Sequence, residues 1–155
     1  MHQRRKAREI TLQVLYALDV HGIDPRESIA LFWANFDAPE EARPFSSLLI
    51  EGTWNNLKQI DSLIGGSSEN WTISRMSRVD KSILRMAVYE LLFCRDIPPK
   101  VTLNEAIDLG KVYGSENSGA FINGILDDLY GKLRKNDEDQ DQDQDIPSLA
   151  GHPLP

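Results

Sequence analysis

Val79-Asp80-Lys81-Ser82-Ile83-Leu84-Arg85-Met86-Ala87-Val88-Tyr89-Glu90-Leu91-Leu92 is the stretch that decides the fold. Val79, Ile83, Ala87 and Leu91 recur at every fourth position, and Leu84, Val88 and Leu92 form a second line beside them. A stripe that wide at helical period belongs to a helix with neighbours on more than one side. The stretch therefore predicts the central helix of an all-α core, spanning 79–94.

Five further helices extend outward from it. Residues 4–20 carry Ala7, Ile10, Val14, Leu15 and Leu18 on one face and stop at His21-Gly22. Asp24-Pro25-Arg26-Glu27 opens the second as a capping box with proline in the first turn. Ile29, Phe32, Trp33 and Phe36 follow as an aromatic stripe, and Pro39 and Pro44 bound a short connection. One long helix is predicted over 45–64, from Ile50, Thr53, Trp54, Leu57, Ile60 and Ile64, with a loop containing Trp71 and Ile73 after it. Beyond Pro98-Pro99, the capping box at Thr102–Glu105 starts a helix that ends at Gly114. The last runs over 119–133. The short connections make consecutive helices neighbours, so the expected body is a compact helical bundle.

Charge is uneven along the chain. The total of 17 Lys+Arg against 24 Asp+Glu includes six acids in residues 136–155, a segment without Lys or Arg. The remainder, 1–135, is near neutral and is read as the folded domain. The tail 136–155 has too little apolar surface to offset its ordering entropy and is expected to be disordered. A solubilising role is preferred for it over folding back onto basic residues. No apolar run approaches a membrane span, and no secretory h-region follows the basic start. The single Cys94 fits a reducing, cytoplasmic setting.

The catalytic inventory is thin. His2, His21 and His152 lie at termini or a helix end, and Cys94 reads as a buried filler. The glycines match no phosphate-binding fingerprint, and no metal-ligand spacing occurs. The reading is therefore non-enzymatic, with no catalytic residues, cofactor or metal. The stronger signal is Arg4-Arg5-Lys6-Ala7-Arg8, four cations ahead of the first acid, Glu9. Guanidinium forks suit phosphate oxygens, and Tyr16, two turns on, offers a stacking face. A solubilising end and a half-buried core tyrosine are the competing readings.

Arg4-Arg5-Lys6-Ala7-Arg8-Glu9 followed by Leu15-Tyr16 resembles the opening of the NusB family of bacterial transcription antitermination factors. The resemblance continues through Val79–Leu91, Asp96-Ile97-Pro98, Asn104–Lys111 and Phe121–Asp127, in order and with matching gaps. It implies an all-α fold of two small helical subdomains. It implies binding of boxA RNA in nascent ribosomal RNA, together with the ribosomal protein NusE, and entry into the elongating RNA polymerase complex. Carried over residue by residue, RNA contacts fall on Arg4, Arg5, Lys6, Arg8, Tyr16, Lys111, Asn117 and Phe121, and the NusE contact on Asp80. Asn117 stands where some relatives have an acid, which would remove a repulsion toward RNA. For Phe121 a core role competes, and for Asp80 a helix-dipole role. The residues leave open whether free chains pair as homodimers. They also leave open a domain akin to those of ribosomal RNA methyltransferases, or a helical interaction protein without an RNA role.

Overall fold

A computed structural model describes residues 2–69 and 72–151, with side chains placed from Gln3 to Glu138. Trp71 and His152 lie outside the described residues. Every regular element among those described is helical: α1 (His2–His21), α2 (Pro25–Asn35), α3 (Arg43–Asn55), α4 (Leu57–Ser67), α5 (Arg78–Phe93), α6 (Pro99–Tyr113) and α7 (Ser118–Gly151). Two short 3-10 turns, Glu40–Ala42 and Ile73–Arg75, join them.

The expected central helix is α5. Every residue from Ser82 to Glu90 is buried, and α1, α3, α4, α6 and α7 all pack on it. On one side α1, α2 and α3 pack on one another; on the other α6 and α7 pair, with α4 against α7. These are the two helical groups that share α5 as a spine. The stripes do what their spacing requires. Ile10, Leu15, Leu18, Leu49, Ile50, Ile60, Ile64, Ile83, Leu84, Ile122 and Leu126 are fully enclosed.

Local chemistry sets the boundaries. Asp24 caps α2, its Oδ1 accepting from the Arg26 N–H at 2.8 Å. Gly22, at φ +66, takes the left-handed turn after α1 and returns its N–H to the Leu18 carbonyl. Gly52 lets the Tyr89 ring lie directly on the α3 backbone; a Cβ there would overlap the hydroxyl end of that ring.

Three expectations change. The single helix over 45–64 is two helices, broken at Asn56. The Asn56 side chain donates to the Gly52 carbonyl at 2.7 Å, while its N–H is shared between Gly52 and Thr53. This local competition with the helical ladder closes α3 and turns the chain into α4. Second, α6 starts at Pro99, because proline in a first turn sacrifices no hydrogen bond. Thr102, expected as the cap, instead donates its hydroxyl to Glu90. Third, the backbone is helical past 135, to Gly151, where disorder was expected from 136. Extending a helix already anchored in a core avoids the cost of nucleation. The last core residue is Leu129, and all side chains from Arg134 to Glu138 are exposed.

A polar network ties α1, α4 and α5 together. Asp19 accepts from Arg78 at 3.1 Å, Lys81 at 3.0 Å and Arg85 at 3.2 Å. Arg85 also grips Asp61 through two bonds of 2.8 Å. Burial works to raise the Asp19 pKa, but hydrogen bonds and charge from Lys81 and Arg85 outweigh it and hold the carboxyl below its ordinary value. A carboxyl depressed on folding contributes stability above its unfolded pKa, and that contribution fades as pH falls through the folded value. Asp19→Asn should therefore cost about 2 kcal/mol in urea unfolding at pH 7. The gap from the wild type should narrow on acidification below the ordinary carboxylate range.

Candidate nucleic-acid interface

The basic arm is the first two turns of α1, and the structure divides its four cations by burial. Arg8 is buried, and its fork closes on Glu90 in two bonds, Nε to Oε2 at 2.9 Å and Nη2 to Oε1 at 2.7 Å. Thr102 completes the pair from α6 by donating to Glu90 Oε1 at 3.1 Å. The assignment of Arg8 to RNA is therefore corrected: both nitrogens in that fork are committed inside the protein, out of reach of a phosphate. Position explains it, since Arg8 stands four residues before Leu12 and seven before Leu15, on the inward side of the helix.

Arg4, Arg5 and Lys6 stay at the surface, each opposite an acid. Arg4 Nη2 lies 3.6 Å from Asp96, with its guanidinium over the Phe45 ring at 4.8 Å. Arg5 reaches Glu105 through two bonds of 3.2 Å and Asp108 at 3.5 Å. The Glu105 hydrogen bond, then its charge, push the Arg5 pKa further up. Lys6 Nζ is 3.6 Å from Glu9. These exposed pairs are held weakly and screened by water, so they orient the cations without locking them away. An anion that offers better geometry can take their place.

Tyr16 is half-exposed on the same face of α1 as Arg5 and Glu9. It lies about 16 Å further along the helix axis from Arg5. Separately, the start of α5 and the loop before α7 form an open cleft of about 430 Å³. Asp80, Asn117 and Phe121 all line it, with Arg75, Met76, Ser77 and Ser115. The structure thus brings the expected partner contact Asp80 together with two expected RNA contacts. Ser77 caps α5 by accepting from the Asp80 N–H at 3.1 Å. Asp80 is buried, and among the described residues its Oδ1 has no hydrogen-bond partner. Ser118 Oγ accepts from the Ser115 N–H at 2.9 Å and holds the 115–118 loop against the start of α7. Asn117 is exposed and Phe121 half-buried. Lys111 is exposed at the α6–α7 junction, with its stem over Gly119.

Sequence reading missed Phe45, Asp96, Glu105, Asp108 and Arg75. Their roles arise from contacts between distant segments. The one local signal was the Glu105/Asp108 spacing, which puts both acids on one helix face.

No group of three or more His, Cys, Asp or Glu side chains among the described residues could hold a metal ion. No helix among the described residues is long and apolar enough to cross a membrane. Cys94 is enclosed, and burial, then the charges of Glu90 and Asp96, push its thiol up to about 11. A thiol so protonated is a poor nucleophile at neutral pH. Cys94 should resist a disulfide-exchange reagent at pH 8 in the native protein and react stoichiometrically in urea; fast native labelling would contradict this environment.

The family model described as the NusB family matches residues 5–131. The transcription antitermination protein NusB of Syntrophus aciditrophicus is 72% identical over 139 residues, covering 89% of this chain and 86% of that protein. A Thermotoga maritima (T. maritima) NusB structure superposes with a TM-score of 0.74 at 38% identity, covering 83% of this chain and 90% of the other. A crystal structure of antitermination factors NusB and NusE in complex with dsRNA superposes with a TM-score of 0.76 at 28% identity, covering 85% and 98%.

Proposed function

The chain belongs to the NusB family, and we propose that it acts as a transcription antitermination factor. In this role it binds a boxA-type segment of nascent ribosomal RNA together with NusE and enters the elongating RNA polymerase complex. The relative crystallised with NusE and dsRNA supports both partners. The observation that carries the reading is the division of the basic arm: Arg8 is sacrificed to fix α1 in the body, and Arg4, Arg5 and Lys6 emerge together beside it.

The chemistry is binding alone. Phosphates compete with Asp96, Glu105, Asp108 and Glu9 for the three surface cations, a exchange between weakly held partners. Tyr16 and Phe121 offer faces to unstacked bases, with Asn117 and Lys111 along the path to them. Asn117 brings an amide to the cleft, and its replacement by Asp would add a repulsive charge. We assign Asp80 to a donor on NusE, because a buried carboxylate oxygen without a partner gains most from an incoming N–H. No step calls for a nucleophile or a general base, which accords with the protonated Cys94 and the absence of catalysis in this proposal. In the same reading, residues 1–135 are the RNA-binding body and residues 136–155, which hold six acids and no Lys or Arg, are a separate acidic segment.

RNA affinity should fall with salt. With three surface cations meeting phosphates, the log–log slope should be about −2, at about −0.7 per phosphate on a single strand. Titrating labelled boxA RNA and a scrambled control with and without NusE, from low to physiological salt, measures it. Replacing Arg4, Arg5 and Lys6 together by Ala should flatten the slope toward zero without unfolding the chain. A flat slope for the unaltered protein, or unchanged binding by the triple variant, contradicts the assignment.

A further inference from the structure

Tyr113 closes α6 at the surface, and its neighbour Val112 is 71% exposed, more than any other large apolar side chain described. The Tyr113 side chain is 44% exposed, so core packing does not account for it. Its surroundings belong to the arm. The phenol lies beside Glu9, and burial, then that carboxylate, raise its pKa. Glu9 is also the acid opposite Lys6, and Arg5 reaches Asp108 on the turn of α6 before Tyr113. Glu9 is one turn beyond Arg5, about 6 Å along α1. A phosphate on Arg5 or Lys6 therefore leaves its own or the adjoining base within reach of the Tyr113 ring.

Cations beside an exposed aromatic face are how proteins hold single strands. The cations take the backbone, and the ring takes a base whatever its hydrogen-bonding edge. We propose that Tyr113 is a base-stacking platform of the RNA interface. An unstacked base of the strand held by Arg4, Arg5 and Lys6 lies on its ring, flanked by Val112. This rests on the RNA-binding reading above and extends it to a residue outside the arm. A protein segment is the other occupant an apolar and aromatic surface could take. Continuity with the three cations favours the nucleic acid.

The test measures binding of labelled boxA RNA, and separately of NusE without RNA, by the full chain and by Tyr113→Ala, Tyr113→Phe and Tyr113→Leu. Tyr113→Ala should weaken RNA binding about 5- to 150-fold, the range for losing one stacked base. Tyr113→Phe, which keeps the ring, should bind like the unaltered protein. Tyr113→Leu, which keeps apolar bulk without a π-face, should lose as Ala does, and it decides the matter should the Ala variant fail to fold. An RNA with one abasic residue at the stacked position should bind the wild type and Tyr113→Ala alike. Three results overturn the proposal: full RNA affinity in Tyr113→Leu, equal loss in Tyr113→Phe, or loss of NusE affinity with RNA affinity intact. An unaltered protein that binds no RNA sinks the RNA reading itself and this inference with it.

Discussion

The buried pair between Arg8 and Glu90 is the constraint on which the interface depends. An arginine and a glutamate enclosed at 2.7–2.9 Å have each given up hydration worth several kcal/mol. That cost is offset only when geometry is good and remaining acceptors are filled. The fork-on-carboxylate arrangement and the Thr102 hydroxyl meet both conditions. Because the three residues come from α1, α5 and α6, the pair sets the direction in which the arm leaves the core. Arg4, Arg5 and Lys6 are then held on a rigid helix, in place of a basic tail that would have to be ordered on binding.

Electrostatic design differs between the inside and the surface. Inside, Arg8–Glu90 and the Asp19–Arg85–Asp61 network bind the helices to one another and cannot exchange partners without exposing a buried charge. At the surface, the carboxylates facing Arg4, Arg5 and Lys6 keep the arm locally neutral in the free chain. A strand that binds must displace them, so affinity reflects the difference between phosphate and carboxylate as partners. A count of cations alone overstates it.

Much of this was legible in the sequence. The double line of apolar residues from Val79 to Leu92 marked α5 as central, and Asp24 and Gly22 marked a start and a stop through known capping chemistry. The ordered blocks from Arg4 to Asp127 marked the family. Asn56 was not legible as a break, because an asparagine inside a helical pattern looks like any polar surface residue until its side chain is seen on the Gly52 carbonyl. Arg8 was misread although the signal was present: its spacing to Leu12 and Leu15 places it inward, but a run of cations reads as a single patch. Glu105, Asp108 and Tyr113 come to face the arm only through the folding of α6 beside α1, a relation that the chain order of these residues does not carry.

The most direct measurement is a double-mutant cycle on Arg8 and Glu90, read by urea unfolding. Each single substitution by Ala should cost about 3–5 kcal/mol, because it strands the other charge in the core. The double variant should cost clearly less than the two singles together, the signature of a coupled pair. Additive losses, or an Arg8→Ala protein that keeps full stability and loses only RNA affinity, would contradict the division of the arm into one anchor and three surface cations.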